Sequence, residues 1–146
     1  MSTANTMRVE LVSPERILFS GEATMVVTRV VGGGDIAFQP NHAPYLAALT
    51  ESHTRIYLAD GTVQSVAVHG GFVQVANNTV SILSDIAELA QDIDQSRASR
   101  ALQVAEEAQA KEQTTEGEAA IRRAHARLNA VGGLGASATS ARGGGH

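Results

Sequence analysis

Four groups of residues have types and spacings that could do chemistry. Gly32-Gly33-Gly34 leads into Asp35. His42 stands between Pro40 and Pro44. His69 precedes Gly70-Gly71. Arg97, Arg123 and Arg127 lie among acids in the last third of the chain. A glycine-rich loop can cradle a phosphate, but a Walker loop needs Gly-Lys-Ser/Thr opening a helix. Here the glycines separate two strand-like runs, so they read as a turn. His42 on its stiff corner could be a catalytic base, and His69 a second, as in a small hydrolase. A base also needs a nucleophile and an orienting partner, and the sequence identifies neither. The plainer reading is a loop histidine bonded locally or to a partner protein. Arg123 and Arg127 are four apart and share one helix face. If a helical hairpin folds back on itself, they could converge with Arg97 on a polyanion. The plainer reading of Glu88–Ala98 is a helix start with acids in its first turn, favoured by the helix dipole.

Other chemistries are excluded by composition. The five histidines (His42, His53, His69, His125, His146) have no metal-ligand spacing, and the chain has no Cys, so no metal site is expected. Net charge is −4, which argues against nucleic acid as a partner. The opening MSTANTMRVELV has no basic segment followed by an apolar run, so no secretory leader is expected. No apolar stretch approaches the ~20 residues that cross a bilayer, so any membrane association must go through a partner.

The elements that position these residues change character near Glu88. Before it, Val, Ile, Thr and Gly recur in short runs; after it, Ala, Glu, Gln and Arg dominate. Strands are expected over Arg8–Val12, Arg16–Phe19, Glu22–Val31, Asp35–Gln39, His53–Leu58, Thr62–Val68 and around Val80–Ile82, with turns at Asp60-Gly61 and Asn77-Asn78. The glycines after His69 suggest a bulge or a close backbone approach. Short strands without intervening helices predict an antiparallel sandwich or barrel. With 43% hydrophobic residues but only 3% aromatic, its core must be aliphatic.

Two helices should follow. Asp94 is placed to cap the first, whose Ala98, Ala101, Leu102, Ala105 and Ala108 share a face. Thr115 and Glu118 form a capping box for the second, with an Ile121, Ala124, Leu128, Val131 stripe and a Gly132-Gly133 C-cap. The organisation is therefore 1–88 sandwich, 89–131 helical hairpin, and 132–146 a Gly/Ala/Ser-rich tail expected to be disordered.

From Arg8 to about Ala130 the chain resembles the epsilon chain of the F-type, proton-translocating ATP synthase. VSPERILFSGEA, GGDIAFQPNHAPYL, HGGFVQV, VSILSD, DIDQSRA and RRAHARLNA carry the likeness, with Ala37 where the family usually has Gly. The resemblance implies an all-β N-terminal sandwich of about ten strands followed by a C-terminal α-helical hairpin. It implies a non-catalytic rotor subunit that links proton translocation to ATP synthesis and regulates hydrolysis through the hairpin. Implied partners are the gamma subunit of the central stalk, the c-subunit ring and the catalytic alpha/beta hexamer. The implied location is peripheral, on the cytoplasmic side of a bacterial cell membrane. Asp35, Gln39, Pro40, Asn41 and His42 are implied to dock on ring and stalk. No cofactor is required. Some bacterial members bind ATP as a regulatory ligand through Ile/Leu-Asp-x-x-Arg-Ala, here Ile93, Asp94, Arg97 and Ala98, with Glu88, Arg123 and Arg127 completing the match. A free-standing nucleotide-sensing module and a hydrolase using His42 or His69 are the alternatives.

Overall fold

The structure, a computed structural model, describes residues 5–133; apart from Gly132 and Gly133, the expected tail lies outside the described residues. The strands are β1 (Met7–Val12), β2 (Ile17–Val30), β3 (Gly34–Phe38), β4 (Tyr45–Leu58), β5 (Val63–Ala76), β6 (Thr79–Leu83) and β7 (Ala87–Leu89). A 3-10 turn over Ala90–Asp92 leads to helices α1 (Gln95–Lys111) and α2 (Thr115–Gly132). The strand order is β1-β6-β5-β4-β2-β3, with β7 on β5, and a further β1–β2 pairing closes the sheet. β1 and β6 run parallel; the other pairs are antiparallel.

β2, β4 and β5 are each 14 residues long, and their inward-facing positions change phase along the way. On β5 the buried residues are Val66 and Val68, then Val73 and Val75; on β4, Ile56 and Thr54, then Leu49; on β2, Val30, Thr28 and Val26, then Ala23. A strand alternates with period two, so a switch from even to odd marks the bend from one layer into the other. With three strands serving both layers, β3 and β7 complete one layer and β1 and β6 the other, five segments in each. This is the sandwich of about ten strands, made from seven continuous ones. The short runs read from sequence were pieces of longer strands cut at these bends.

The bend in β5 falls at Gly70 and Gly71, whose φ angles are +93° and +113°. A Cβ on Gly71 would strike the carbonyl oxygen of Leu83, so the feature expected after His69 is a close backbone approach. Ser84 Oγ lies 2.8 Å from the Gly70 carbonyl and secures the crossing. Both predicted turns form: Asn77 and Asn78 take φ of 53° and 59°, and Gly61 takes +92°. The core is aliphatic, built around Met7, Val9, Leu11, Val26, Ile56, Val73 and Ile82 with Phe38. Its buried hydroxyls Thr28 and Thr54 satisfy each other at 2.7 Å.

β7 carries the sheet one residue past the expected boundary at 88. Asp94 caps α1, its carboxylate accepting the Arg97 N–H at 3.0 Å. The cap of α2 is Thr114, not Thr115. Thr114 is extended, and its Oγ1 accepts the Gly117 N–H at 2.8 Å, so the helix begins one residue earlier than the capping-box reading requires. Gly133 is right-handed (φ −88°) rather than a left-handed C-cap. Glycine is needed there because a Cβ would meet Ser65 Oγ and the His53 ring.

On α1 only Ala98 and Ala105 of the expected stripe are buried; Ala101 and Ala108 remain exposed. α2 buries Ala124, and also Ala126 and Ala130 on a second face. That second face meets Ala67 and Ala90 of the sandwich, with Ile93 alongside. Four methyl groups at ~0.8 kcal/mol each give only about 3 kcal/mol of docking.

Candidate functional site

Glu88, Ile93, Asp94, Arg97, Ala98 and Arg127 all line one cleft of about 340 Å³, together with Asp92 and Ala101. The cleft sits where β7, the 3-10 turn, α1 and α2 meet, so it exists only while α2 lies on the sandwich. Arg97 has no side-chain partner among the described residues and stands on the first turn of α1. Arg127 reaches across from α2, and its Nε donates to Glu88 Oε1 at 2.6 Å. Ile93 and Ala98 supply apolar wall. Two guanidinium groups facing one another across a partly apolar cleft can take a phosphate-bearing ligand through charge-assisted hydrogen bonds. Arg123 does not join them: its Nη2 is bound to Glu116 at 2.6 Å and it does not line the cleft. The acid two turns before it, Glu116, which the sequence reading did not single out, takes it away.

A residue outside the expected set completes the site. His69 Nε2 lies 2.9 Å from the same Glu88 oxygen, and the His69 side chain is only 1% exposed. Burial would raise the Glu88 pKa, but hydrogen bonds from His69 and Arg127 and the charge of Arg127 outweigh it and hold it below the usual carboxylate value. Burial pushes His69 down; the Glu88 hydrogen bond opposes this, while Arg127 and Arg123 add to it. The Glu88 carboxylate accepts, so Nε2 of His69 is the donor. The sequence signal was faint: His69 is 19 residues from Glu88, and only the antiparallel β5–β7 register brings them together.

The five corner residues separate into two places. Asp35 is the second residue of β3, pairs with Arg29 at 2.9 Å, and lines a second cleft with Glu51, His53 and Arg122 beside α2. Gln39 to His42 follow the other end of β3, about 13 Å along the strand at 3.3 Å per residue. There Asn41, with φ +67°, donates its N–H to Asn78 Oδ1 at 2.8 Å, while Asn78 Nδ2 donates to the Thr6 carbonyl at 2.9 Å. His42 donates from Nδ1 to the Ala43 carbonyl at 2.7 Å and packs edge-on against Phe38. Neither His42 nor His69 hydrogen-bonds a hydroxyl group.

The sequence reading missed an apolar row on the outer face of the layer that α2 leaves uncovered. Directly paired residues run Ala48, Phe72, Leu83, Val12, Ile17 across β4, β5, β6, β1 and β2. Phe72 is 54%, Leu83 42% and Ile17 61% exposed, and Val31 bonds to Ala48 at its end. At ~4.8 Å per strand it is about 19 Å long. The neighbouring row is polar apart from Leu46: Gln74, Ser81, Glu10, Ser20. A contiguous apolar strip of this kind is a candidate protein contact.

Acid should loosen the hairpin. Burial pushes His53 down to about 4, with Arg55 adding and Asp35 opposing. The undocked ring would titrate near 6.5, so it binds more protons than the docked ring between pH 6.5 and 4. Docking is then complete above 6.5 and is lost as pH falls towards 4. The bound is about 3 kcal/mol at 1.36 kcal/mol per pH unit, and partial solvent access lowers it to about 2. Hydrogen exchange of α2 amides should accelerate over that window, and His53→Gln should remove most of the acceleration. A flat profile in the native chain would contradict the burial of His53 under α2.

A family profile described as ATP synthase, Delta/Epsilon chain, beta-sandwich domain matches residues 6–90. The chain is 45% identical over 129 residues to the ATP synthase epsilon chain of Streptomyces avermitilis, covering 88% of this chain and 97% of that one. It is 36% identical over 135 residues to the chloroplastic ATP synthase epsilon chain of Cucumis sativus, covering 88% and 98%. Its fold is similar to a chain in the Euglena gracilis mitochondrial ATP synthase (OSCP/F1/c-ring), with TM-score 0.74, 18% identity, and 90% and 84% of the two chains covered.

Proposed function

Since this chain belongs to the ATP synthase delta/epsilon family and matches its epsilon chains over nearly their whole length, we propose how its two halves work in that assembly. It is a stalk subunit of the synthase and not a catalytic one. The sandwich fastens to the gamma subunit through the apolar row and to the c-subunit ring through the loops at the ends of β3. The hairpin is the regulatory arm, able to leave the sandwich and reach the alpha/beta hexamer. Among the described residues no helix is long and apolar enough to cross a membrane; attachment through the ring would make the chain peripheral, on the cytoplasmic side of a bacterial cell membrane.

The observation that carries the regulatory reading is the cleft joining Arg97 of α1 to Arg127 of α2 over β7. A ligand that needs both arginines and the sandwich edge binds only the docked hairpin. ATP is the proposed ligand. At a hundredfold excess over Kd it would add about 2.7 kcal/mol to docking, comparable with what the alanine contact supplies. Calorimetry of the whole chain with ATP should show binding that Arg97→Ala and Arg127→Ala each weaken about tenfold or more. Arg123→Ala should change little, since its guanidinium is held by Glu116. No binding at millimolar ATP would sink the nucleotide switch and leave the hairpin a mechanical element. The sandwich is further proposed to fold and dock without the hairpin.

A further inference from the structure

Glu88 lines the polyphosphate cleft as an acid, which is the wrong charge for the ligand. Its bonds explain its presence. One oxygen, Oε1, accepts from both His69 Nε2 at 2.9 Å and Arg127 Nε at 2.6 Å. Only Nε of Arg127 is used; neither of its terminal Nη groups has a hydrogen-bond partner among the described residues. An arginine held by Nε keeps its Nη1/Nη2 edge free, and that edge can meet two phosphate oxygens side by side. A flexible arginine has been turned into an oriented one.

His69 is anchored to the sheet. Its own N–H is bonded to the Ile86 carbonyl at 3.0 Å, beside the glycine bend of β5. Its ring is enclosed, and its Nδ1 is buried without a partner. A bare Nδ1 and a carboxylate at Nε2 are mutually consistent only with a neutral ring that donates from Nε2. The ring cannot rotate to another acceptor without leaving Glu88. The groups facing it are Glu88 from β7 and Arg127 and Arg123 from α2.

We propose that His69 is a positioning residue for the phosphate-bearing ligand: it fixes Glu88, and Glu88 holds Arg127 by Nε so that the Nη pair points to the phosphate. This rests on the polyphosphate reading of the cleft and adds a residue outside its motif. The relay joins sheet to helix, so it is assembled only when α2 is docked. That makes the orientation of Arg127, and not merely its presence, the quantity that reports hairpin position.

Two measurements on the full chain test this. In the first, inorganic tripolyphosphate and ATP are titrated calorimetrically into the native chain, His69→Ala and His69→Gln. Gln can still offer an N–H near the position of Nε2. His69→Ala should weaken both ligands about tenfold, and His69→Gln should restore affinity to within about twofold. In the second, solvent exchange of the Arg127 Nε–H is followed by NMR without ligand. It should be protected in the native chain and in His69→Gln, and exposed in His69→Ala, with thermal melts confirming that all three are folded. Equal protection in native and His69→Ala chains overturns the relay. Loss of affinity in both variants alike, with Arg127 still protected, overturns it as well. If the native chain binds neither ligand, the nucleotide reading and the ligand role of His69 both fall, and the exchange measurement still decides whether His69 orders Arg127.

Discussion

Phe72→Glu combined with Leu83→Glu is expected to abolish capture of the gamma subunit while leaving the sandwich folded. The two side chains are direct cross-strand partners in the middle of the apolar row and are 54% and 42% exposed in the free chain. Being exposed, they contribute little to folding, and surface changes of this kind usually stay within about 0.5 kcal/mol. In a complex the balance reverses. Each lost apolar contact forfeits about 1.5 kcal/mol or more, and each carboxylate buried without a partner costs several kcal/mol. The sum exceeds about 4 kcal/mol, a loss of roughly a thousandfold in affinity. Co-purification from membranes would read it, with a thermal melt as the folding check. Val104→Glu, on the exposed side of α1, is the control and should co-purify normally. Normal capture by the double variant would move the docking surface elsewhere.

Gly71→Ala should be the most damaging single methyl group that can be added to the sandwich. Two penalties coincide. At φ +113° an L-residue is strained, and the new Cβ is driven into the Leu83 carbonyl of the neighbouring strand, where only backbone movement gives relief. Together they amount to roughly 3–5 kcal/mol, a large part of the 5–15 kcal/mol typical of a domain. Gly61→Ala separates the two effects. It has φ +92° with nothing within 4 Å of the added carbon, so it should lose only the strain, about 1–2 kcal/mol. Urea melts of the two variants would check the difference. Equal destabilisation would mean that the crossing at Gly71 is not close-packed.

Much of the fold is legible in the residues. Asn77-Asn78 and Asp60-Gly61 announced their turns because few other pairs tolerate positive φ. Asp94 announced its helix because a side-chain acceptor is needed by N–H groups that no earlier carbonyl can reach. The two helices were placed correctly, but the cap of α2 was set one residue late. Thr114 and Thr115 offer the same hydroxyl, and only the backbone angle at Thr114 decides between them. The lengths of β4 and β5 were underestimated because alternation changes phase at Thr50 and at Gly70-Gly71, where a single strand turns its other side to the core.

The site divides along the same line. Local spacing placed Ile93, Asp94, Arg97 and Ala98 beside one another, since a capped helix start brings them together without help from the rest of the chain. Spacing also gave Arg123 and Arg127 the same helix face, yet only Arg127 enters the cleft; the choice is made by Glu116 and Glu88, one local and one distant acid competing for the two guanidinium groups. His69, the separation of Asp35 from His42, and the apolar row came only from the tertiary structure. Each depends on which strands are neighbours and in what register, and a change of one residue in register would send every one of these side chains to the opposite face. The sequence by itself determined the elements, the turns and the family. Strand pairing decided what those elements place side by side, because hydrogen bonds between distant strands, not the spacing of residues along the chain, set the distance between His69 and Glu88 and between Phe72 and Leu83.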